Sequence, residues 1–487
     1  MFIDARQLPE ETSVETAVCI IGAGAAGITV AREFIGRSFQ VGALDYDEAT
    51  QTLCDGENAG RPYSLIGSRM RYFGGSTNHW GGQCRPLDEI DFEERDWVPH
   101  SGWPFGRSHL DPFYERAHSI CQLGAFVYDA AAYEARIDSR AAFIGRRVVT
   151  KIFRYTSTLF GQVYRDEIRR SRNITTYLFA NVVEIETDES GRTATRVRVA
   201  CLQGNKFWLS AKLFILATGG IENPRLLLLS NKVHRAGLGN QYDLVGRFFM
   251  EHACFKSGIL ALTQPTVLEA LYATNQEPGD HHGVMFRRCM SLSGDTLRRH
   301  RLANYCAWLS HLGMLSDGGP AHIKGFAQYL KELKAVSLYR LVNYAEQAPN
   351  PDSRVTLGSG VDALGRNKVR LNWRMTPKDK ENARRVQSVI GQEIGRVGLG
   401  RLMLELSADD DPDWSPDLWG CYHHMGTTHM HVDPRKGVVD ENSRVHGLVN
   451  LFIAGSSVFP TSGFANPTLT IVALALRLAD HIKRLMT

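Results

Sequence analysis

The sequence first shows what it lacks. It has no apolar run approaching the ~18 residues that a membrane-spanning helix requires. Its nine cysteines are scattered, with no C-x-x-C pair and no metal-ligand spacing, so reduced thiols in a cytosolic setting are expected. The 56 basic residues are nearly balanced by 52 acidic ones and nowhere form a block, which argues against a nucleic-acid surface. There is no repeat or low-complexity tract. The opening residues, MFIDARQLPEETSVETAV, carry acids and a proline where a secretory leader would place basic and then apolar residues. A cytoplasmic location is the expectation.

What is present is a globular composition, 43% hydrophobic and 22% charged, over 487 residues. That length suggests two lobes. The stretch around which the chain is organised is TAVCIIGAGAAG, residues 16–27. Thr16–Ile21 is a short apolar, β-branched run that reads as a buried strand. Gly22, Gly24 and Gly27 form G-x-G-x-x-G, Ala25–Phe34 has helix-forming composition, and Gln40–Leu44 reads as a second strand ending at Asp45. The spacing predicts a dinucleotide site: glycines for a tight turn and close backbone approach, a helix N-terminus for a pyrophosphate, and an acid for a ribose hydroxyl.

Two more strand–glycine–helix units follow. Lys212–Gly220 runs into Ile221–Ser230, with Pro224 near the helix start, and should belong to the same sheet as the first unit. Asn450–Gly455 leads through GFANPTLT to the apolar helix Ile471–Leu485. Units at the start, middle and end of one chain imply a nucleotide-binding lobe interrupted by insertions. Between them, Asp111–Ile120 reads as a helix, and Phe179–Thr187 with Thr195–Cys201 as a strand pair. Residues 255–415 differ in texture: β-rich pieces at Lys256–Leu262 and Ser353–Leu357 mix with amphipathic segments at Ala327–Glu346 and Lys378–Arg396. They read as a separate lobe laid over the cofactor, with the chain returning to the nucleotide lobe from Trp419.

Three stretches carry candidate chemistry. YFGGSTNHWGGQC (72–84) suits a loop pressed on a flat ligand, glycine allowing close approach and His79 and Trp80 offering polar edges. CYHHMGTTHM (421–430) sets His423, His424 and His429 close together. The adjacency of His423 and His424, with no carboxylate or thiol at matching spacing, disfavours metal binding. A neutral imidazole can instead accept an alcohol proton, or these histidines can be structural. Asn466-Pro467 is ordinary helix-start chemistry, yet that helix start would also favour negative charge on a reduced flavin.

Taken together, GAGAAG, GGSTNHWGG (74–82), ATGGIENPRLLL (217–228), VGRFFMEH (245–252), HHMGTTHM (423–430) and NLFIAGSSVFPTSGFANPTLTIVALALRLADHI (450–482) resemble the glucose–methanol–choline (GMC) oxidoreductases, in the branch of pyranose oxidases and bacterial glycoside 3-oxidases. The resemblance implies an α/β fold. Its Rossmann-like FAD-binding lobe would be built from residues 1–95, 175–254 and 416–487. An α+β substrate lobe with an antiparallel sheet would come from 96–174 and 255–415. It implies oxidation of a CH–OH group, a secondary hydroxyl of a sugar or glycoside such as C3 or C2. His424 would be the base, Asn466 its partner and His423 the fallback.

FAD would contact Gly22, Gly24, Gly27, Asp45, Gly75, Ser76, Asn78, His79, Trp80, Ala217, Gly219, Gly455, Ser456, Pro467 and Thr468. Tyr422, His423 and Gln347 would meet substrate. Asp45 stands where the family usually has Glu. His79 aligns with a histidine that pyranose oxidases bond to the flavin, but GGSTNHW differs from their motif, so noncovalent FAD is expected and a covalent link left open. The expected partners are a small carbohydrate and an acceptor (oxygen, a quinone or a redox protein), with no nucleic acid, no metal and no membrane span; an oligomer is compatible with all of this. Competing readings are oxidation of an aminosugar or other natural-product alcohol, a non-redox lyase on the same scaffold, and a nicotinamide-dependent dehydrogenase.

Overall fold

A computed structural model describes residues 1–44, 52–133, 146–263, 268, 272, 284–313, 337–407 and 418–487. The apolar run after the N-terminus forms the strand Ser13–Ile21, whose last four residues are fully buried at the centre of a sheet. It lies parallel to Val41–Leu44 on one side and to Lys206–Leu216 on the other. A strand flanked and covered on both faces has no reason to alternate polar and apolar residues. Val41–Leu44 continues to Ile174–Leu178 and Phe2–Asp4, both in parallel.

Lys206–Leu216 serves two neighbours along its second edge. Its first half pairs antiparallel with Ala194–Ala200, and its last three residues pair in parallel with Leu451–Ile453. The three strand–glycine–helix units therefore share one sheet, with their strand ends side by side. Their helices are Ala25–Glu33, Gly219–Leu229 and Thr468–Leu485. Thr468–Leu485 turns Leu469, Val472, Leu476 and Ala479 inward and packs on Ala25–Glu33 and Arg107–Ile120. Each buried leucine there contributes roughly 1.5–3 kcal/mol.

The second sheet is antiparallel throughout. Its order is Gly400–Met403, His252–Leu262, Ser337–Glu346, Tyr305–Gly313, Phe286–Leu292, Val148–Tyr155 and Gln83–Cys84. The helix Pro377–Arg396, capped by Thr376 and Asp379, lays Ala383, Val386, Ile390 and Ile394 on this sheet against Phe255, Leu260 and Leu341. A small third sheet joins Arg354–Val361, Asn367–Asn372 and Gly56–Asn58.

Several element readings change. Ser337–Glu346 is a strand rather than the end of an amphipathic segment, because partners on both edges override its local pattern; 327–336 lies outside the described residues. The helix read from Asp111 begins at Arg107. Trp419–Gly420 still pairs with His252–Leu262 in the antiparallel sheet, so the chain leaves that sheet only after Gly420. The thiols are not all free: Cys254 and Cys421, 167 residues apart, form a disulfide between that same strand and this segment. Spacing along the chain could not reveal it, and it removes the cysteine pattern as a ground for a reducing, cytosolic location. Among the described residues no helix is long and apolar enough to cross a membrane.

Candidate active site

A cavity of about 430 Å³ opens where the strand ends of the parallel sheet face the start of His252–Leu262. One wall is backbone. Gly22 has φ +104°, and a Cβ there would stand 2.5 Å from the Ala217 carbonyl oxygen. A Cβ on Gly27 would come within 1.9 Å of the Gly22 carbonyl oxygen, so the helix Ala25–Glu33 can seat on the turn only because Gly27 has no side chain. Gly24, Gly219 and Gly455 meet nothing within 4 Å of an added Cβ; they line the cavity as bare main chain. Gly24 is also the N-cap of the helix, without a side-chain cap, so the first N–H groups of the helix are left for an anionic ligand.

Beside this wall Arg69, Arg71 and Glu222 also line the cavity. Burial alone would raise the Glu222 carboxyl, but Arg225, Arg69 and Arg71 outweigh it and bring it down to about 2. The closest contact is Arg69 Nη1 to Glu222 Oε1 at 2.5 Å.

The opposite wall is made of side chains. Asn466 Nδ2 lies 3.3 Å from His423 Nε2, and His423 Nδ1 lies 2.9 Å from His252 Nδ1. His252 Nε2 in turn lies 3.3 Å from the Ser462 carbonyl oxygen. Burial, with His252 and His424 as neighbours, holds the His423 imidazole well below its ordinary value. Burial, helped by Arg69, takes His424 down to about 3, so both rings are neutral at pH 7. The segment that carries them is tied down twice. Cys421 is disulfide-bonded to Cys254, and the Glu251 carboxylate accepts from the Cys421 N–H and the Tyr63 hydroxyl, each at 2.7 Å. Burial pushes the Glu251 carboxyl up to about 7. Tyr422 projects at the cavity, half exposed, from a backbone at φ +62°, its ring edge-on to Tyr63.

Most residues singled out from the sequence meet here. Gly22, Gly24, Gly75, Ser76, His79, Trp80, Ala217, Gly219, Tyr422, His423, His424, Gly455, Ser456, Asn466, Pro467 and Thr468 all line the cavity. Gly27 lies beneath it, as its packing role requires, and Asp45 lies outside the described residues.

Three expectations change. Asn466 is paired with His423 rather than His424; the His424 ring instead packs beside Tyr63 and Phe249. Asn78 does not line the cavity: its amide donates to the Phe73 carbonyl at 2.8 Å and accepts from the Gly161 N–H at 2.9 Å. Gln347 does not line the cavity: it is fully buried, accepting from Trp373 Nε1 and the Glu251 N–H and donating to the Arg374 carbonyl.

Asn466 does not cap its helix through its side chain either. The cap position is Pro467, which leaves the carboxamide to the cavity. His79 Nε2 is engaged by the Tyr72 hydroxyl, and Trp80 Nε1 donates to the Thr158 carbonyl at 2.9 Å.

Residues that the motifs did not single out are Tyr63, Arg69, Glu222, Glu251 and His252. Glu222 lies within ATGGIENPRLLL, and Glu251 and His252 end VGRFFMEH; those stretches carried the only signal by which these three could have been found. The cavity's polar lining is incomplete by itself: His424 Nε2 and Asn466 Oδ1 are buried with no hydrogen-bond partner among the described residues. Buried polar atoms of this kind are ordinarily satisfied, so a polar ligand fits between the two walls. The bare glycines leave room for it on the other side. Among the described residues no group of three or more His, Cys, Asp or Glu is arranged to hold a metal.

The GMC oxidoreductase family model matches residues 349–475. Among curated relatives, 2-methyl-1,2-propanediol dehydrogenase of Mycolicibacterium austroafricanum is 27% identical over 63% of this chain and 53% of its own length. The match therefore spans about half of that relative. C-glycoside 3-oxidase of Microbacterium trichothecenolyticum is 24% identical over 88% of this chain and 77% of its own. The crystal structure of pyridoxine 4-oxidase from Mesorbium loti superposes with a TM-score of 0.61 at 18% identity, covering 96% of this chain and 99% of that one, a likeness of fold. The family match thus lies in the C-terminal part of the chain, and the likeness to the relatives over the rest is one of fold and of sequence at 24–27% identity.

Proposed function

We propose that this chain uses FAD to oxidise a CH–OH group of a sugar or glycoside, a secondary hydroxyl such as C3 or C2, to the ketone. The lobe built on the parallel sheet would hold FAD, with Gly22, Gly24 and the start of Ala25–Glu33 at the pyrophosphate and Asp45 at a ribose hydroxyl. Gly75, Ser76, His79, Trp80, Ala217, Gly219, Gly455, Ser456, Pro467 and Thr468 would line the rest, without a covalent bond at His79. Bound FAD supplies a hydride acceptor.

The protein's own work is to take the proton and hold the oxygen. His423 is the base in this reading. Its Nε2 receives the hydroxyl proton while Asn466 Nδ2 donates to the same oxygen, which orients the alcohol and steadies its developing charge. His424, neutral and with Nε2 unpartnered, is left to bind a second hydroxyl. The half-exposed Tyr422 offers a ring face for a pyranose to stack on. The observation that carries the reading is the Asn466–His423 contact facing a cavity whose other wall is bare glycine. The C-glycoside 3-oxidase relative supports the choice of a sugar hydroxyl. Oxygen, a quinone or a redox protein would remove the electrons.

The test is an anaerobic screen of sugars and glycosides for bleaching of the flavin, followed by readmission of air. His423→Ala is expected to keep its flavin and bleach about 10²–10⁴-fold more slowly. Asn466→Ala should slow bleaching on the order of 10²-fold, and His424→Ala by less than either. Undiminished bleaching in His423→Ala would move the base elsewhere, and a substrate turned over without any bleaching would point to the lyase chemistry.

A further inference from the structure

His252 opens the strand His252–Leu262 and is completely buried. Its ring spans the gap between the Ser462 carbonyl and the His423 ring. The chemistry of the two ends decides where the protons sit. A carbonyl oxygen only accepts, so His252 Nε2, 3.3 Å from Ser462 O, must carry the hydrogen. In a neutral ring that leaves Nδ1 with a lone pair. His423 Nδ1, 2.9 Å away, must then be the donor, and His423 Nε2 is left without a proton. The far end agrees independently. The Asn466 amide nitrogen only donates, and it lies 3.3 Å from that same Nε2.

We propose that His252 is a positioning residue that fixes the tautomer of His423, holding its proton on Nδ1 so that the Nε2 lone pair faces the cavity. The role rests on His423 being the base. An imidazole is neutral in either tautomer, and only the Nδ1–H form can accept a proton on the cavity side. Without His252 the ring would face an apolar gap at Nδ1 and gain by moving its hydrogen to Nε2, where the Asn466 amide can turn its otherwise unpartnered Oδ1 to accept it and the catalytic lone pair would vanish.

The titratable groups facing the pair are few. Glu346 acts on His252 through space, Tyr344 packs beside its ring, and His424 neighbours His423. Glu251, adjacent in sequence, is directed instead to Tyr63 and the main chain of Cys421. None of these takes the place of His252 at His423 Nδ1: among the described residues the ring nitrogens of His423 meet His252 and Asn466.

The test reads the tautomer itself, by ¹⁵N-histidine NMR of the flavin-loaded protein, with His423→Gln to assign the His423 signals. In the wild type His423 should carry its proton on Nδ1. His252→Leu should move it to Nε2 and lower kcat on the order of 10²-fold, with KM changed less than threefold. His252→Asn, whose amide oxygen can stand where Nδ1 stood, should keep the Nδ1–H form and recover most of kcat. A wild-type His423 protonated on Nε2 overturns the proposal even where His252→Leu does not fold. So does a His252→Leu protein whose tautomer and kcat both stay as in the wild type. Persistence of substrate-driven bleaching in His423→Gln would sink the base assignment alone, since the tautomer is read separately from turnover.

Discussion

The two walls of the cavity are built by different physics. The glycine wall is main chain: turns and helix starts brought together by a parallel sheet, shaped by where side chains are missing. The imidazole wall is side chain: His252, Glu251, His423 and Asn466, drawn from segments up to 215 residues apart in sequence and held by hydrogen bonds and one disulfide. The first tolerates no added atom at Gly22 or Gly27. The second tolerates change only where each polar group keeps a partner, because a buried group left unpaired costs about 1–3 kcal/mol. One wall is steric and would set whether a cofactor enters; the other is electrostatic and would set what happens once it has.

The largest effect is expected on the steric side. Gly27→Val would drive a branched side chain into the Gly22 carbonyl, already only 1.9 Å from a Cβ. The helix would have to move off the turn, at a cost on the order of 4 kcal/mol or more, and the protein should purify without yellow colour. Stoichiometric flavin absorbance in that variant would show that the turn is softer than its geometry indicates.

A smaller effect should come from the clamp on the side-chain wall. Replacing Cys254 and Cys421 by serine removes the tie between the strand bearing His252 and the segment bearing His423. Chemical unfolding should report a loss of about 2–4 kcal/mol, with flavin still bound, since the glycine wall is untouched. If the double variant instead lost its flavin and kept its stability, the division between the two walls would be wrong.

The smallest effect is a pH dependence. Burial lowers His429 from 6.5 to about 3, with His100 and His431 adding to it, and its ring packs on Phe248 away from the relay. A folded-state value depressed below the unfolded one contributes stability that is complete above pH 6.5 and is lost as pH falls toward 3. By pH 5 the loss is about 2 kcal/mol for this group. Glu251 and Asp91, both raised to about 7, act in the opposite sense, so the useful quantity is the difference between wild type and His429→Leu at each pH. Urea midpoints for the two should converge from pH 7 to pH 5; a constant gap would mean that His429 is not held neutral by the fold.

How much was legible follows the same division. Gly22, Gly24 and Gly27 could be read because a turn between strand and helix imposes fixed spacing on a contiguous stretch. The strands and helices around them could be read because their apolar runs are local. Asn78 and Gln347 stay out of the cavity lining for one shared reason. Both are polar residues in or near suggestive segments, and only the fold reveals that the main chain consumes their hydrogen bonds. His424 was preferred to its neighbour because adjacency along a chain does not say which of two rings turns toward Asn466. Tertiary packing turned His423 to it.

By itself the sequence determined the glycine fingerprint at 22–27, the threefold recurrence of a strand–glycine–helix unit along the chain, and the family resemblance, since each rests on patterns a few residues long. Only the tertiary structure decided which histidine faces the carboxamide, that His252 stands behind it, and that Cys254 reaches Cys421. Those are contacts between residues distant in sequence, and no local rule of spacing or propensity encodes the direction in which a side chain points once distant strands have met.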